Sequence, residues 1–326
     1  MELDKSEARP WIAEKLRCPL NSVSVTPLGG GISNHVVLVE AGGARCVFKQ
    51  ALEKLRVEQD WRCGRDRVFR EYAALRAVRT ILPPNAVPKV FFEDREQFTF
   101  AMEAAPADAQ PWKSPLLEGE VRLEWAETAG RLLGTWIGES VEHPEWQAEF
   151  ASQTGFGELR VDPYYRTTAA RHPELARHFA SLIDECLNRR FSLVHGDFSP
   201  KNLLISSIGM MVIDWEVAHW GDPSFDAAFL TNHLVLKAFH RPEQWREYQQ
   251  AASAFWHALL LTGQPEWLMP AAMRHLGCLL LARIDGKSPA EYIQTETLRQ
   301  RVRSAAIDLI RRPAADAAGA FERNFS

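Results

Sequence analysis

LVHGDFSPKNLLI, residues 193–205, sets a short polar run between two apolar, strand-like ends. The polar run carries His195, Asp197 and Asn202, residue types that bind ligands or move protons. Loops between strands are where proteins most often position such residues, because the rigid strands fix the ends of the loop. We therefore expect this loop to contain catalytic or ligand-binding residues.

A second apolar run, MMVID, ends at Asp214, seventeen positions after Asp197. Each carboxylate follows a strand, so the two would face one spot if the strands pair. Magnesium prefers hard oxygen ligands, with one or two carboxylates completed by phosphate and water. Asn202 and Asp214 can supply such ligands, and Asp197 is then free to accept a proton from a hydroxyl nucleophile.

The first hundred residues alternate between helix and strand patterns. Apolar and polar positions alternate at 22–28, as in a strand, and the HVVLVE of residues 35–40 also predicts a strand. The AGG of residues 41–43 predicts a hairpin turn before a partner strand at 44–50. Two further strands are predicted at 89–94 and 98–103, and two helices at 7–18 and 67–78. These patterns predict a small lobe built on an antiparallel sheet.

The Ala- and Pro-rich segment at residues 104–115 predicts a linker between an N-terminal lobe, residues 1–103, and a C-terminal lobe, residues 104–326. The C-terminal patterns are mainly helical, at 119–136, 173–188, 223–238, 243–261, 270–284 and 289–310. Two or three short strands are predicted within residues 192–217. Two such lobes would form a cleft, and ligands favour interdomain clefts.

The small lobe offers groups that suit a phosphate ligand. Gly29, Gly30 and Gly31 would let backbone amides approach a phosphate closely. Lys49, on a predicted strand, can pair with phosphate oxygens, and Glu71 on the following helix can orient it. Phosphoryl transfer requires this set of positioning groups, cations and a residue that orients the nucleophile.

At these residues the sequence resembles the aminoglycoside phosphotransferase and choline kinase superfamily, which is related to protein kinases. The resemblance covers about residues 28–284. The family motifs HGDxxxxN, IDxE and GDPxxD match His195, Gly196, Asp197 and Asn202, then Ile213, Asp214 and Glu216, then Gly221, Asp222, Pro223 and Asp226. Two positions stand apart: Ser199 replaces the His of many members, and Lys201 has no role that the family suggests.

The resemblance implies an α+β, bilobal, protein-kinase-like fold with a small N-terminal lobe and a larger, mainly helical C-terminal lobe. It also implies that ATP and Mg²⁺ are the cofactors and that Lys49 and Glu71 form an ion pair. The segment Met102, Glu103 and Ala104 would be the hinge that holds adenine by backbone bonds, and Ser33 would help the glycine loop to cover the phosphates.

Three residues of the motifs have other readings. We interpret His195 as structural, its ring supporting the loop rather than moving protons. Asp226 is expected to be a buried brace under the loop, because a buried carboxylate needs paired donors and the loop amides could provide them. Glu216 could face either the metal or an amine of the substrate.

The predicted function is transfer of the γ-phosphate of ATP to a hydroxyl of a small molecule. A protein kinase is the first alternative, but Asp222 follows Asp214 by only eight positions, which leaves no room for a peptide-docking activation segment. A non-catalytic nucleotide-binding protein is the second alternative; it would be expected to have lost Asp197, Asn202, Asp214 or Lys49, and none is lost.

The acceptor remains open among an aminoglycoside, an amino alcohol such as choline, and a sugar. The candidates for contact with it are Glu216, Trp220, Tyr164, Tyr165, Arg283 and Asp285. Arg283 would favour an anionic or hydroxyl-rich acceptor; alternatively, it is a cation that stabilises the end of its helix. The preference for ATP or GTP and the oligomeric state also remain open.

Composition limits the other classes of function. A net charge of -4 argues against a dedicated nucleic-acid binder. The five cysteines are scattered, and none forms the CxxC pair that is typical of zinc sites. The N-terminus is unlike a secretory signal, and no apolar run has the length of a membrane span. We expect a soluble, cytoplasmic protein that acts on a small molecule without a membrane or nucleic-acid partner.

Overall fold

The N-terminal lobe is an antiparallel sheet flanked by two helices. The structure is a computed structural model that describes residues 2–3, 7–29, 33–54 and 63–326. In chain order the lobe contains α1 (Ala8–Leu16), β1 (Val23–Pro27), β2 (Asn34–Ala41), β3 (Ala44–Ala51), α2 (Arg67–Val78), β4 (Val90–Asp94) and β5 (Thr99–Glu103). The strand order is β1-β2-β3-β5-β4, and each neighbouring pair is antiparallel.

The hairpin between β2 and β3 forms at the predicted turn. Gly42 and Gly43 have φ values of 56° and 84°, which lie in the left-handed region that glycine adopts without steric penalty. The turn sets a register in which Lys49 on β3 lies between Val36 on β2 and Phe100 on β5. Lys49 is therefore held on the central strand of the sheet.

The C-terminal lobe is mainly helical. It contains β6 (Gln110–Pro111), α3 (Lys113–Glu118), α4 (Leu123–Ser140), α5 (Pro144–Glu149), α6 (Thr154–Phe156), a π-helical segment (Gly157–Arg166), α7 (Thr167–Arg171), α8 (Ala176–Asn188), β7 (Ser192–Val194), β8 (Leu203–Ser206), β9 (Gly209–Val212), β10 (His219–Gly221), α9 (Ser224–His240), α10 (Trp245–Leu260), α11 (Leu268–Asp285), α12 (Glu296–Arg311) and α13 (Ala317–Phe325). The pairs α4 with α10 and α11 with α12 pack along each other, and α9 contacts both α10 and α11.

Two small antiparallel sheets bring the polar loops of the C-terminal lobe together. The two strands that precede Asp197 and Asp214 do not pair directly, contrary to the arrangement considered from the sequence. Instead, β7 pairs with β10, and β8 pairs with both β9 and β6. The amide of Ile213 donates to the carbonyl of Asn202 at 3.0 Å, so the two loops still meet.

Hydrophobic side chains form one main core that extends from the sheet into the helical lobe. Val47, Leu75 and Phe100 of the small lobe belong to the same buried cluster as Trp136 and Leu279 of the large lobe. A smaller cluster lies on the other side of the sheet, against α1. The predicted division at residue 103 stays a prediction, although β5 ends at that residue.

Several predicted elements differ from the structure. The predicted linker contains β6 and the start of α3, because the backbone of residues 110–111 pairs with β8. The helix predicted from residue 119 begins at Leu123, and the one predicted from residue 289 begins at Glu296. The π-helical segment and α13 were not predicted. None of the helices in the described ranges combines the length and apolar character that a bilayer crossing requires.

Candidate active site

Lys49 on β3 contacts two carboxylates where the lobes meet. Its Nζ lies 2.5 Å from Glu71 Oε2 and 2.5 Å from Asp214 Oδ1. Burial disfavours the charged form of Lys49, but the carboxylates of Asp214 and Glu71 outweigh burial and raise the pKa of Lys49. The predicted ion pair between Lys49 and Glu71 is therefore present, and Asp214 joins it.

Asp214 follows β9 with left-handed backbone geometry, at a φ of 69°. Asp is among the few non-glycine residues that adopt this region readily, and such geometry clusters at functional sites. Burial tends to raise the pKa of Asp214, but the charges of Lys49 and Lys201 hold it well below its ordinary value. Asp214 is thus ionised, as a carboxylate that ligates a metal must be.

Three carboxylates lie close enough to share one cation. Oxygens of Glu71, Asp214 and Glu216 lie within 4.8 Å of one another. Burial raises the pKa of Glu71, and the negative charges of Asp214 and Glu216 add to this effect. Excess negative charge on hard oxygen donors is what Mg²⁺ binds best. The residues present therefore fit a magnesium ion at Asp214.

Three donors converge on one oxygen of Asp197, the predicted catalytic residue. Asn202 Nδ2 donates to Oδ2 at 2.8 Å. Arg160 Nη2 and Lys201 Nζ lie 2.9 Å and 2.8 Å from the same oxygen. Within the described part of the chain, no hydrogen bond reaches Oδ1. One carboxylate oxygen is fixed, and the other is available to a ligand.

The two cations also set the charge state of Asp197. Burial tends to raise the pKa of Asp197, but the charges of Arg160 and Lys201 reverse this effect and leave the pKa below its ordinary value. Asn202, the other predicted metal ligand, uses its amide nitrogen for Asp197, so its carbonyl oxygen Oδ1 is the atom that could ligate a metal.

The loop around Asp197 is braced by Asp226 and His195, as predicted. The amides of His195 and Gly196 donate to the two oxygens of Asp226 at 2.6 and 2.8 Å. The Asp197 amide donates to His195 Nδ1 at 3.1 Å, so Nε2 carries the proton that is donated to the carbonyl of Ile213. Burial lowers the pKa of His195 to about 4, which keeps the ring neutral in this role.

Glu216 joins the N-terminal lobe to the strand end at Asp214. Its Oε1 accepts from Ser33 Oγ at 2.7 Å, and its Oε2 accepts from Asn34 Nδ2 at 2.8 Å. Arg67 Nε lies 3.2 Å from Oε2, and this guanidinium also donates to the carbonyl of Leu52 at 2.8 Å. Among the described residues, the hydrogen bonds and the ion pair of the Glu216 side chain are therefore all with the N-terminal lobe.

The predicted phosphate loop and hinge are described in part. Gly29 is exposed, with open space around its α-carbon, whereas residues 30 and 31, Gly30 and Gly31, lie outside the described residues. Met102 and Glu103 end β5, and Ala104 follows where the chain leaves the sheet. The role of this segment in holding adenine stays a prediction.

Two of the predicted acceptor residues are linked to Asp197 through Arg160. Arg283 Nη1 lies 3.4 Å from Tyr164 Oη and donates to Ser288 Oγ at 2.8 Å. The Arg160 guanidinium, which reaches Asp197, lies 6.0 Å from the centre of the Tyr164 ring. Both Tyr164 and Arg283 are buried. The structure thus connects them to the candidate catalytic residue.

Besides Glu216, which bonds the N-terminal lobe, the remaining three predicted acceptor residues have their side chains in the core or in an ion pair. Tyr165 is fully buried, and its hydroxyl bonds His275 Nδ1 at 2.6 Å. Trp220 on β10 packs in the main core. Asp285 forms a two-bond ion pair with Arg303, at 2.8 and 2.9 Å. Among the described residues, none of the three forms a hydrogen bond or an ion pair with Asp197.

Arg160 and Arg67 were missed from the sequence. Arg67 is the first residue of α2, where a cation opposes the helix dipole, so a search for misplaced charges could have singled it out. Arg160 lies in the π-helical segment, a rare conformation that often marks functional sites but that has no sequence pattern of its own.

Comparison with known proteins gives relatives over most of the chain. A family model described as "Phosphotransferase enzyme family" matches residues 24–268. Methylthioribose kinase 2 of Oryza sativa subsp. japonica is 24% identical over 261 residues, which cover 72% of this chain and 61% of that protein. Methylthioribose kinase of Escherichia coli is 28% identical over 264 residues, which cover 72% of this chain and 62% of that protein. The chain thus spans about three fifths of the length of these relatives.

A solved structure supports the fold. The streptomycin–ATP–APH(2")-IIa ternary complex aligns with a TM-score of 0.52 and 14% identity, covering 95% of this chain and 99% of that chain. The bilobal, kinase-like fold is therefore confirmed. Together with the family match over most of the sequence, it shows that the chain belongs to the phosphotransferase enzyme family.

Proposed function

We propose that this protein is a kinase that transfers the γ-phosphate of ATP to a hydroxyl group of a small molecule. The observation that carries the proposal is the geometry of Asp197. Three donors fix its Oδ2, its Oδ1 is available, and the loop that holds it meets the strand end at Asp214. Such an arrangement suits a residue that orients a nucleophile.

Asp197 Oδ1 would accept a hydrogen bond from the hydroxyl of the acceptor. As the hydroxyl oxygen bonds to the γ-phosphorus, the bond from that phosphorus to the bridging oxygen breaks, ADP leaves, and the hydroxyl proton passes to Asp197. The lowered pKa of Asp197 makes it a weak base. A weak base is sufficient where the transition state is loose and the nucleophile chiefly needs orientation.

The nucleotide would bind between Lys49 and the glycine loop. Asp214 and Asn202 Oδ1 would hold Mg²⁺, which when bound neutralises negative charge on the phosphate oxygens. Lys49, oriented by Glu71, would pair with the phosphates in exchange for its contact with Asp214. In this proposal, residues 29–31 and Ser33 cover the phosphates. The backbone of the hinge at residues 102–104 holds the adenine.

Among the three acceptor classes, the relatives favour a sugar hydroxyl, because two of them are named methylthioribose kinases. We retain Tyr164 and Arg283 as acceptor contacts. Trp220, Tyr165 and Asp285 are omitted because their side chains serve the core or an ion pair. Glu216 is assigned to holding the N-terminal lobe, on the basis of its contacts with Ser33, Asn34 and Arg67.

We further propose that the protein acts in the cytoplasm and has no nucleic-acid partner. Its five cysteines are free, and a reducing compartment would keep them so. The net charge of -4 is the wrong sign for binding a polyanionic backbone.

The test is a coupled assay of ADP release with Mg-ATP and a panel of hydroxyl acceptors. With an acceptor that the wild type phosphorylates, Asp197→Asn should reduce turnover by roughly 100-fold or more, the scale of lost acid–base help. The same variant should bind Mg-ATP normally by calorimetry. A purified Asp197→Asn protein that works at the wild-type rate would remove Asp197 from the mechanism.

A further inference from the structure

Lys237 on α9 is a buried ammonium group without a carboxylate partner. Its residue is 1% exposed, and its Nζ donates only a long bond, 3.4 Å, to the carbonyl of His233. Among the described residues no Asp or Glu forms an ion pair with it. A buried, unpaired charge is strongly unfavourable, so such a group usually has a ligand or loses its charge.

Arg283 on α11 is the second unpaired cation of this region. It is 8% exposed and bonds Tyr164 and Ser288, but no carboxylate. Its Nε is buried with no hydrogen-bond partner, and so is the hydroxyl of Tyr292. The Lys237 ammonium lies 5.4 Å from the centre of the Tyr292 ring. Polar groups without a partner in the protein thus lie beside the unpaired ammonium.

Lys113 at the start of α3 adds a third positive charge. Its backbone amide donates to the carbonyl of Pro200 in the Asp197 loop at 3.0 Å, and its ammonium pairs with Glu291. Glu291 has a side chain that is 60% exposed, so its charge is screened by water. We call Lys113, Lys237 and Arg283 the cationic cluster; with Glu291 it carries a formal charge of +2, three cations less one anion.

The charges of the cluster act on one another. Burial lowers the pKa of Lys237 to about 7, and the positive charges of Lys113 and Arg283 add to this effect, while Glu291 opposes it. From its own helix, His233 also lies close enough for Lys237 and Arg283 to lower its pKa. A negative ligand would relieve this repulsion.

A chain of contacts joins the cationic cluster to Asp197. Arg283 contacts Tyr164, the Tyr164 ring lies beside the Arg160 guanidinium, and Arg160 pairs with Asp197. The proposed function assigns the phosphates of ATP to a different cation, Lys49, which contacts Asp214 and not Asp197. An anion held by the cluster would therefore belong to the acceptor and not to the nucleotide.

We propose that the acceptor carries an anionic group, a carboxylate or a phosphate, which binds at Lys237 and Arg283 while its hydroxyl reaches Asp197. This inference rests on the proposed phosphotransfer. Aminoglycosides and choline are cations, and the cluster repels them. An anionic group supplies the counter-charge that the buried ammonium lacks, and its oxygens can bond the unpaired Nε of Arg283 and the hydroxyl of Tyr292.

The first test compares acceptors that share one carbon skeleton. Glycerol, glycerate and glycerol 3-phosphate are assayed for ADP release beside ethanolamine, with wild type, Lys237→Met, Arg283→Gln and the control Arg301→Gln, an exposed arginine of α12. We expect one of the two anions to be preferred, which identifies the group. Each cluster variant should lower kcat/KM for that anion by about tenfold or more, the scale of a lost charge-assisted bond, whereas the control Arg301→Gln should leave it unchanged.

The second test measures binding without turnover. Glycerate, glycerol 3-phosphate and inorganic phosphate are titrated by calorimetry into the protein saturated with Mg²⁺ and a non-hydrolysable ATP analogue. Wild type should bind an anion more tightly below pH 7 than above it, because Lys237 must be protonated to pair with it. Lys237→Met should abolish this pH dependence, and its unchanged or higher melting temperature would exclude a merely structural lysine.

The two tests separate failure of this inference from failure of the kinase proposal. Anion binding that depends on Lys237, with no acceptor phosphorylated, supports the anion site and contradicts the kinase. Phosphorylation of a neutral or cationic acceptor in preference to the anions, at a rate that Lys237→Met and Arg283→Gln do not change, supports the kinase and overturns the anionic acceptor. Equal anion binding by wild type and Lys237→Met overturns it as well.

Discussion

Asp197 is arranged for orientation more than for basicity. A carboxylate that serves as a strong base at neutral pH usually has a raised pKa, because burial or a like charge disfavours its ionised form. Here Arg160 and Lys201 impose the opposite shift and fix one oxygen in place. The residue stays ionised over a wide range of pH, and its available oxygen has one defined position.

Replacing Arg160 should therefore change the pH profile. Asp197 acts when ionised, so activity falls as pH drops through its pKa. Arg160→Gln removes a cation that holds this pKa down, and the acidic limb of the kcat/KM profile should move to higher pH. Arg166→Gln, on the same segment but in an exposed ion pair with Asp162, is the control and should leave the profile in place. An unmoved acidic limb in Arg160→Gln would contradict the positioning role.

Replacing Asp214 tests the metal site. Asparagine tolerates the left-handed φ of this position and has nearly the same shape, so Asp214→Asn removes the charge without forcing the backbone to change. Affinity for Mg-ADP should fall by about 100-fold or more, since even loss of a group that supports a metal ligand costs up to this factor. Metal-free ADP, measured by the same calorimetry, should bind at least as tightly as before, because Lys49 no longer pairs with a carboxylate at position 214. Equal Mg-ADP affinities would exclude Asp214 as a ligand.

For single residues, the sequence predicted those contacts whose two partners both lie in recognisable motifs or local patterns. The Lys49–Glu71 pair and the brace at Asp226 could be predicted because each residue has a place in a motif or a local pattern. Arg160 and Lys237 could not, because their charges are explained only by groups from distant parts of the chain. A lysine within the apolar run HLVLKAF was nevertheless a visible anomaly.

The elements that were predicted well depend on local chemistry. The helix predicted at 67–78 is α2, Arg67–Val78, and the AGG turn joins β2 to β3. The elements that were missed depend on remote partners or on caps. Residues 110–111 form a strand because their backbone pairs with that of β8. Helix α12 begins directly after its N-cap, Thr295, whose side chain accepts a hydrogen bond from the amide of Leu298.

Helix α9 is tied to the Asp197 loop through Asp226, so a change there should affect both. In Asp226→Asn one of the two acceptor oxygens becomes a donor that faces a backbone amide. We expect a loss of about 1–3 kcal/mol in the free energy of unfolding, the penalty for a buried group left without its partner. Turnover should fall as well. Urea denaturation is the measurement, with the exposed Asp184→Asn as control; equal stabilities would contradict the brace.

The whole molecule is held together by polar junctions as well as by its main core. Lys49 and Asp214 form one junction between the sheet and the catalytic lobe, and Glu216 and Arg67 form a second one. The linker pattern and the resemblance predicted two lobes and a cleft, and the fold is confirmed. Neither junction was predicted from the sequence, because the partners lie 165 and 149 positions apart.

Breaking the second junction should destabilise the protein. Glu216→Gln leaves the buried guanidinium of Arg67 without its carboxylate, and loss of one partner of a buried pair costs about 3–5 kcal/mol. The double variant Glu216→Gln with Arg67→Met removes the stranded charge and should recover part of this loss. Urea denaturation measures both the stability lost in the single variant and the part recovered in the double variant. A single variant as stable as the wild type would show that the junction contributes nothing.

The π-helical segment restricts how the chain can change in length. Two of its residues are anchored to different parts of the protein: Arg160 pairs with Asp197, and Tyr164 bonds Arg283. Deleting one residue between them would shift the helical register of the chain on one side by one residue, so that one anchor must be lost. An insertion or a deletion between positions 160 and 164 therefore cannot be absorbed. Homologous sequences that keep both the Arg160–Asp197 and the Tyr164–Arg283 contacts should therefore align with this segment without a gap.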